Sequence, residues 1–233
     1  MKLGVLGGTF DPIHNGHIAA ASAAERTLGL DAITLIPSRI PPHRHDPVGA
    51  TSEQRYEMAQ LAADGRAGWS ASRIEVDREG PSYTYDTLMA LGEGPALSKR
   101  STPRVEEPAL SERSPAQNAG LHESKGTQIF FIIGGDAFAE IATWSRYPAV
   151  LDLANFVVVS RPGITLDSLR ERVPSAFRDR PSAQTRVILV EAHTPDISST
   201  DIRRRVRAGH SLSGFVPDPV ARYIAAHHLY SGH

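Results

Sequence analysis

The chain contains no cysteine among its 233 residues. This absence excludes disulfides, thiolate nucleophiles and zinc sites built from cysteine, and it suits the reducing environment of the cytosol. An excess of charge is also missing, because 25 Lys and Arg residues stand against 26 Asp and Glu residues, for a formal net charge of −1. A near-neutral balance argues against a general nucleic-acid binder, which needs a basic face.

Long hydrophobic runs are missing as well. The apolar N-terminal stretch gives way to glycines and Asp11 after a few residues, too soon for the apolar region of a signal peptide. No stretch approaches the roughly 20 apolar residues that span a bilayer. We therefore expect a cytoplasmic protein with neither a membrane nor a nucleic acid as its partner.

Hydrophobic residues make up 40% of the chain and charged residues 22%, ordinary values for a globular protein with a sizeable core. Short apolar runs alternate with amphipathic stretches. The predicted strands are residues 2–6, 32–36, 70–76, 129–133, 156–159 and 186–190. The predicted helices are residues 16–28, 52–63, 83–91, 137–142, 166–173, 200–208 and 219–227.

This alternation predicts an α/β fold, a doubly wound (Rossmann-like), mainly parallel sheet with helices on both faces, in a single domain. Residues 129–133 carry no polar alternation, as expected of a strand buried on both sides. In such sheets, ligands bind beyond the carboxyl ends of the strands. Functional motifs should therefore follow strands.

One segment departs from the pattern. Residues 93–127 hold four prolines and no aromatic residue, and they are rich in Ser, Glu, Arg and Ala. This composition predicts a flexible insertion or a surface excursion without catalytic duty. A lid or a partner-docking segment is the functional alternative.

The first motif, GGTFDPIHNGH at residues 7–17, lies between a predicted strand and a predicted helix. Paired glycines let a backbone approach a phosphate closely, and a helix N-terminus offers unpaired N–H groups and a positive dipole end. His14 and His17 share one face of a helical turn. Two imidazoles there can donate hydrogen bonds to phosphate oxygens that gain charge during a reaction.

Two plainer interpretations compete for this motif. A glycine turn with two surface histidines is the more common outcome for an isolated pair, but the position between strand and helix reverses that preference. A zinc site lacks a third ligand at suitable spacing. We therefore predict no metal held by protein side chains here.

The second motif, ISSTDIRRR at residues 197–205, opens an amphipathic stretch. Ser and Thr at such a position cap a helix and leave its first N–H groups available. Arg203, one turn into the helix, can reach phosphate oxygens that the helix N-terminus also faces. Arg204, Arg205 and Arg207 are interpreted as a solvated basic face.

Further candidates lie elsewhere in the chain, although residues 80–88 taken alone predict no more than a capped helix. Residues 41–44, PPHR, place a cation at the end of a stiff loop; residues 80–88, GPSYTYDTL, form a turn followed by a helix N-terminus. Asp136, at the exit of a buried strand, can accept hydrogen bonds from ribose hydroxyls. Trp69 is assigned to the core, and the same assignment is the plainer one for Trp144 taken alone, although its aromatic face could stack on a ring.

These motifs together resemble the HxGH nucleotidyltransferase superfamily and, more specifically, the bacterial nicotinate-nucleotide adenylyltransferases. The resemblance covers the chain except residues 93–127. It implies transfer of the adenylyl group of ATP to nicotinate mononucleotide, giving deamido-NAD and pyrophosphate in NAD biosynthesis, with Mg²⁺ bound through the ATP phosphates. Arg44 stands where the family has Lys, Gly135 where it has Ala, and Ser145 where it has Tyr.

The resemblance also implies the roles of individual residues. The catalytic residues would be His14, His17 and Arg203. The ATP-binding residues would be Gly7, Gly8, Thr9, Phe10, Gly16, Gly134, Asp136, Arg161, Ser199 and Thr200. The mononucleotide-binding residues would be His43, Arg44, Arg55, Tyr83, Thr84 and Trp144, with Arg55 supporting the loop before it.

Other functions remain open from the sequence. A pantetheine-phosphate adenylyltransferase or a glycerol-phosphate cytidylyltransferase would share the first motif, but residues 80–88 and Trp144 argue against both. A non-catalytic nucleotide-binding module and an RNA-binding role, the latter suggested only by the basic run at 203–207, are further alternatives. The sequence does not set the preference between nicotinate and nicotinamide mononucleotide, and it does not set the oligomeric state.

Overall fold

The computed structural model describes residues 1–42, 48–93, 126–160, 167–168, 171, 187–192 and 194–231. The strands are β1 (Lys2–Gly8), β2 (Ala32–Pro37), β3 (Trp69–Ala71), β4 (Gln128–Gly134), β5 (Asn155–Ser160) and β6 (Val187–Glu191). The helices are α1 (Asn15–Leu28), α2 (Ser52–Ala63), α3 (Thr84–Gly92), α4 (Gly135–Ala139), α5 (Ser199–Arg207) and α6 (Asp218–Ala226). Two 3₁₀ helices span Ile141–Thr143 and Ala149–Asp152.

The six described strands form one sheet in the order β3-β2-β1-β4-β5-β6, and every neighbouring pair is parallel. This order reverses between β1 and β4, because the chain first adds strands on one side of β1 and then on the other. Strands β1 and β4 are neighbours in the sheet, and Leu6 of β1 lies beside Ile132 of β4. A ligand of such a sheet is expected at the carboxyl ends of these two strands.

Alternate residues of the central strands enter two separate cores, because successive side chains of a strand point to opposite faces. Phe130 and Ile132 of β4 pack on one face and Phe131 on the other. The first core also takes buried residues from α1, α2, α5 and α6, and the second takes them from α3, α4 and the 3₁₀ helices. The predicted α/β, Rossmann-like fold with helices on both faces is confirmed.

Two predicted elements differ from the structure. The strand predicted at 70–76 ends at Ala71, because the chain turns away after Ser72, whose N–H is bonded to Leu35, and closes a turn from Arg73 to Asp77. The helix predicted at 137–142 is α4, which begins at Gly135 and ends at Ala139, followed by a 3₁₀ turn.

Several predictions fall outside the described residues. They include most of the helix predicted at 166–173 and nearly all of the insertion predicted at 93–127. The single-domain organisation with this insertion therefore stays a prediction. Among the described residues, no helix is both long enough and apolar enough to cross a membrane.

Candidate active site

The loop between β1 and α1 places two histidine rings at the switch point of the sheet. His14 is the N-cap of α1, and its Nδ1 accepts a hydrogen bond from the backbone N–H of His17 at 3.4 Å. In return, Nδ1 of His17 accepts from the backbone N–H of His14 at 3.2 Å. The rings stack with their centroids 3.6 Å apart. A histidine pair thus forms the reciprocal capping box that Ser and Glu form elsewhere.

This capping box fixes the chemistry of both rings. A neutral imidazole whose Nδ1 accepts a hydrogen bond carries its proton on Nε2. Burial lowers the pKa of His14 to about 4. The pKa of His17 is lowered well below its ordinary value, mainly by burial and to a smaller extent by the proximity of His14. At neutral pH the pair therefore presents two neutral Nε2–H donors.

Glycine at position 16 is required by the stacking of these rings. A Cβ there would lie 2.9 Å from Nδ1 and 3.0 Å from Cε1 of His14. Contacts this short are outside the range of ordinary packing, so any side chain would displace the ring. The conformation of the loop therefore explains the glycine between the two histidines.

The second motif lies directly against the first. The Oγ of Ser199 donates a hydrogen bond to the carbonyl oxygen of Pro12 at 2.9 Å. Nη1 of Arg203 donates to the carbonyl oxygen of Asp11 at 2.7 Å, and Nη2 donates to Oγ1 of Thr200 at 3.1 Å. Two loops that are about 190 residues apart in sequence are therefore joined by a guanidinium and a hydroxyl. The N-cap of α5 is Ser198, whose Oγ accepts from the N–H of Asp201 at 3.1 Å.

A cavity of about 610 Å³ opens between the carboxyl ends of β1, β2 and β4. Its lining includes many of the residues that the sequence singles out: Gly7, Gly8, Thr9, His17, Tyr83, Thr84, Gly134 and Trp144. A space of this size is in the range of small-molecule binding sites. The cavity lies where the strand order predicts a ligand.

The far wall of the cavity combines an aromatic ring with a helix N-terminus. Trp144 lines the cavity and meets the ring of Phe131 edge to face, with centroids 6.1 Å apart. Helix α3 begins at Thr84 without a side-chain cap among the described residues. Its first backbone N–H groups are therefore available to an anionic group.

Two of the predicted ligand contacts are placed differently. Arg55, which we predicted at the mononucleotide, is 1% exposed. Its Nη1 donates hydrogen bonds to the carbonyl oxygens of Thr9 and Ser38. Its Nη2 donates to the carbonyl oxygen of Arg39, and its Nε donates to the carbonyl oxygen of Ala50. The four distances are 2.5–3.2 Å. Because the guanidinium donates to four backbone carbonyls, it holds the loops after β1 and β2 together. It supports the site rather than facing a ligand.

Phe10, which we predicted at ATP, is also buried, with 1% exposed. Its ring lies over Gly8, where a Cβ would come within 2.8 Å of it, and meets His17 edge to face at 5.1 Å. The Phe10 side chain therefore packs under the loop and supports its conformation. Asp136 is exposed in the first turn of α4, beside Ala137 and Gly134, which line the cavity.

Three predicted site residues, His43, Arg44 and Arg161, lie outside the described residues. No cluster of three or more His, Cys, Asp or Glu side chains that could hold a metal ion occurs in the part of the chain that the structure describes.

Sequence reasoning missed three residues at the site. Asp11 is buried beneath Arg203, and Tyr230 near the C-terminus donates a hydrogen bond to it. Glu75 is buried in the cavity wall, where Oγ1 of Thr87 donates to it at 2.6 Å and burial raises its pKa. An acidic residue between apolar Ile74 and Val76 was a detectable signal for Glu75. No local signal links Asp11 to Tyr230, because the two are 219 positions apart in sequence.

The strand order, together with the loops that precede α1 and α5, is typical of an α/β nucleotide-binding protein. The sequence model of the cytidylyltransferase-like family matches residues 5–205. A "probable nicotinate-nucleotide adenylyltransferase" of Roseiflexus sp. (strain RS-1) is 37% identical, over 98% of this chain and 97% of that protein. A relative of the same name from Desulfatibacillum aliphaticivorans is 33% identical, over 99% of this chain and all of that protein. The chain therefore belongs to the cytidylyltransferase-like family and, within it, to the nicotinate-nucleotide adenylyltransferases.

A solved structure shows the same fold. Plasmodium falciparum nicotinic acid mononucleotide adenylyltransferase complexed with NaAD aligns over 100% of this chain and 98% of that one, with a TM-score of 0.67 and 15% identity. The resemblance inferred from the sequence motifs is confirmed.

Proposed function

We propose that this chain transfers the adenylyl group of ATP to nicotinate mononucleotide, giving nicotinate adenine dinucleotide and pyrophosphate in NAD biosynthesis. Its membership of the adenylyltransferase family supports this function. The observation that carries the proposal is the junction of the two phosphate loops through Arg203 and Asp11, next to a cavity that holds Trp144. We place the reaction in the cytoplasm, where ATP is available.

The chemistry needs no activated side chain. The 5′-phosphate of the mononucleotide is already an anion, so one of its oxygens attacks the α-phosphorus of ATP in line. The bond from that phosphorus to the bridging oxygen breaks, and pyrophosphate leaves with the electron pair. The protein contributes position and electrostatic stabilisation, as in phosphoryl transfer generally.

The two histidines act as neutral donors in this scheme. Their Nε2–H groups brace the non-bridging oxygens of the α-phosphate, which gain charge as the five-coordinate centre forms. The N-terminus of α1 adds a positive dipole end that no acidic residue of its first turn neutralises. Because both rings are neutral, their contribution is directional and does not depend on protonation near neutral pH.

The remaining residues divide between the two substrates. Arg203, with Ser199 and Thr200 beside it, holds the leaving pyrophosphate at the start of α5. Gly7, Gly8, Thr9, Gly16 and Gly134 let the backbone approach ATP, and Asp136 receives the ribose. For the mononucleotide, Trp144 stacks on the pyridine ring, and Tyr83 and Thr84 present the N-terminus of α3 to its carboxylate. His43 and Arg44 at the mononucleotide and Arg161 at ATP remain predictions.

Mg²⁺ is the expected cofactor and would enter with ATP. Mg²⁺ binds readily through nucleotide phosphates with few protein ligands. The donor set of the site fits this mode, because the carboxylate of Asp11 is already occupied by hydrogen bonds from the protein. When bound, the ion would neutralise charge on the phosphates.

One assay tests the function. Pyrophosphate release is measured with ATP and either nicotinate or nicotinamide mononucleotide. A helix N-terminus typically favours an anion by about 0.3–1 kcal/mol, and Asp86 in the first turn of α3 offsets part of this. We therefore expect the acid to be preferred by up to about fivefold. Comparable turnover of phosphopantetheine, or no turnover of either pyridine nucleotide, would contradict the proposal.

A further inference from the structure

The C-terminal segment reaches the site. After α6 the chain makes a turn in which His228 and Tyr230 adopt positive φ values of 51° and 64°. The Tyr230 hydroxyl then donates a hydrogen bond to Oδ1 of Asp11 at 2.9 Å. Its ring lies so close to Gly49 that a Cβ there would be 2.8 Å from two ring atoms. The hydrogen bond to Asp11 and the ring contact at Gly49 together place the Tyr230 hydroxyl at the site.

The carboxylate of Asp11 is a buried hydrogen-bond acceptor with only 1% of the residue exposed. Its Oδ2 accepts from the backbone N–H of Gly49 at 2.9 Å. Its Oδ1 accepts from the backbone N–H of Ala50 at 3.0 Å and from Tyr230. Two amides and one hydroxyl therefore stabilise a negative charge that lies next to the guanidinium of Arg203.

The guanidinium of Arg203 is not drawn fully onto this carboxylate. Its Nη1 lies 2.7 Å from the backbone carbonyl oxygen of Asp11 but 3.4 Å from Oδ2 of the side chain. The ion pair is thus the longer contact and the carbonyl the shorter one. This arrangement keeps the guanidinium beside Thr200, at the start of α5, where the phosphates of ATP are proposed to bind.

We propose that Tyr230 is a positioning residue for Arg203, an inference that rests on the proposed function. Its hydroxyl supplies one of the donors to the Asp11 carboxylate, so the carboxylate does not draw Arg203 into a tighter ion pair. Without that hydroxyl, a buried carboxylate oxygen loses a donor, which is unfavourable. Arg203 can compensate, because its Nη1 already lies 3.4 Å from Oδ2 of Asp11. Such compensation turns the guanidinium away from the polyphosphate.

The test compares two tyrosines. Tyr230→Phe removes the hydroxyl that bonds to Asp11 and keeps the ring against Gly49. Tyr223→Phe is the matched control, since the hydroxyl of Tyr223 in α6 donates to Glu57 outside the site. We expect Tyr230→Phe to lower kcat/KM for ATP about tenfold, the usual size for a hydrogen bond to a charged group. KM for the mononucleotide should not change, and the control should match the wild type.

A double-mutant cycle establishes the route of the effect. In an Arg203→Lys background the planar guanidinium is gone, so Tyr230→Phe should then cost less than twofold. The same loss in both backgrounds would overturn the proposal. So would wild-type kinetics in Tyr230→Phe, or an equal loss for both substrates, as a misfolded site would give. Failure of the wild type to release pyrophosphate would instead refute the proposed function.

Discussion

The paired histidines make the stability of this protein depend on pH in a defined way. His14 has a pKa of about 4 in the folded chain against an ordinary value of 6.5. The unfolded chain therefore takes up a proton at a higher pH than the native one. The contribution of His14 to stability is full above pH 6.5, falls as the pH drops toward 4 and is then constant. Between pH 7 and pH 5 this linkage costs about 2 kcal/mol.

His14→Asn isolates this contribution. Asparagine is a good N-cap, so its side-chain oxygen can still accept the hydrogen bond from the N–H of His17 while the titrating group is removed. Urea unfolding at pH 7 and pH 5 gives the loss of stability for each protein. We expect the wild type to lose about 2 kcal/mol more than the variant over this interval.

Groups whose pKa does not depend on His14 cancel in this comparison. Glu75 is one of them, and its raised pKa acts in the opposite direction, because its contribution grows as the pH falls. The pKa of His17, which the proximity of His14 also lowers, rises in the variant, and this change adds to the expected difference between wild type and variant in the same direction. An equal loss in wild type and variant would show that His14 titrates alike in the folded and unfolded chains. That result would refute the assignment of the pair as buried, neutral donors.

Three further substitutions test the site. Gly16→Ala should lower kcat about 100-fold, because the added methyl displaces the ring of His14. Gly92→Ala is the control and should keep wild-type turnover, since a Cβ there meets no described atom within 4 Å. Equal activity of the two variants would contradict this prediction. Arg55→Lys should lower the urea-derived free energy of unfolding by about 3 kcal/mol, since a single ammonium cannot serve four carbonyls; unchanged stability with a raised KM would place Arg55 on the substrate. Trp144→Ala should raise KM for the mononucleotide up to about tenfold through lost stacking and leave KM for ATP unchanged, and equal effects on both would argue against stacking.

Local signals predicted much of the fold. Helix α2 begins and ends where expected, because Thr51 and Gln54 form a capping box at its start and Asp64 caps its end after Ala63. Strand β4 was predicted to within one residue at each end, because an unbroken apolar run between polar segments leaves few alternatives. The strand predicted at 70–76 failed because β3 is an edge strand that a turn at Arg73 ends early. Its apolar pattern continues into that turn, where Val76 is buried without being in a strand.

The site was predictable where a motif concentrates its chemistry in a few consecutive residues. His17 and Thr9 come from one such loop, and both line the cavity. What the sequence could not give is the partner of each side chain. The burial of Arg55 under four carbonyls and the hydrogen bond from Tyr230 to Asp11 depend on tertiary contacts between distant segments. No local periodicity encodes such contacts.

The two histidines and Arg203 are expected to bind one polyphosphate chain. A crystal structure of the protein with a non-hydrolysable ATP analogue and Mg²⁺ tests it most directly. We expect Nε2 of His14 and Nε2 of His17 within about 3 Å of α-phosphate oxygens, and the Arg203 guanidinium at the β- or γ-phosphate. An analogue bound with its α-phosphate away from the histidine pair, or with its terminal phosphates away from α5, would contradict the account.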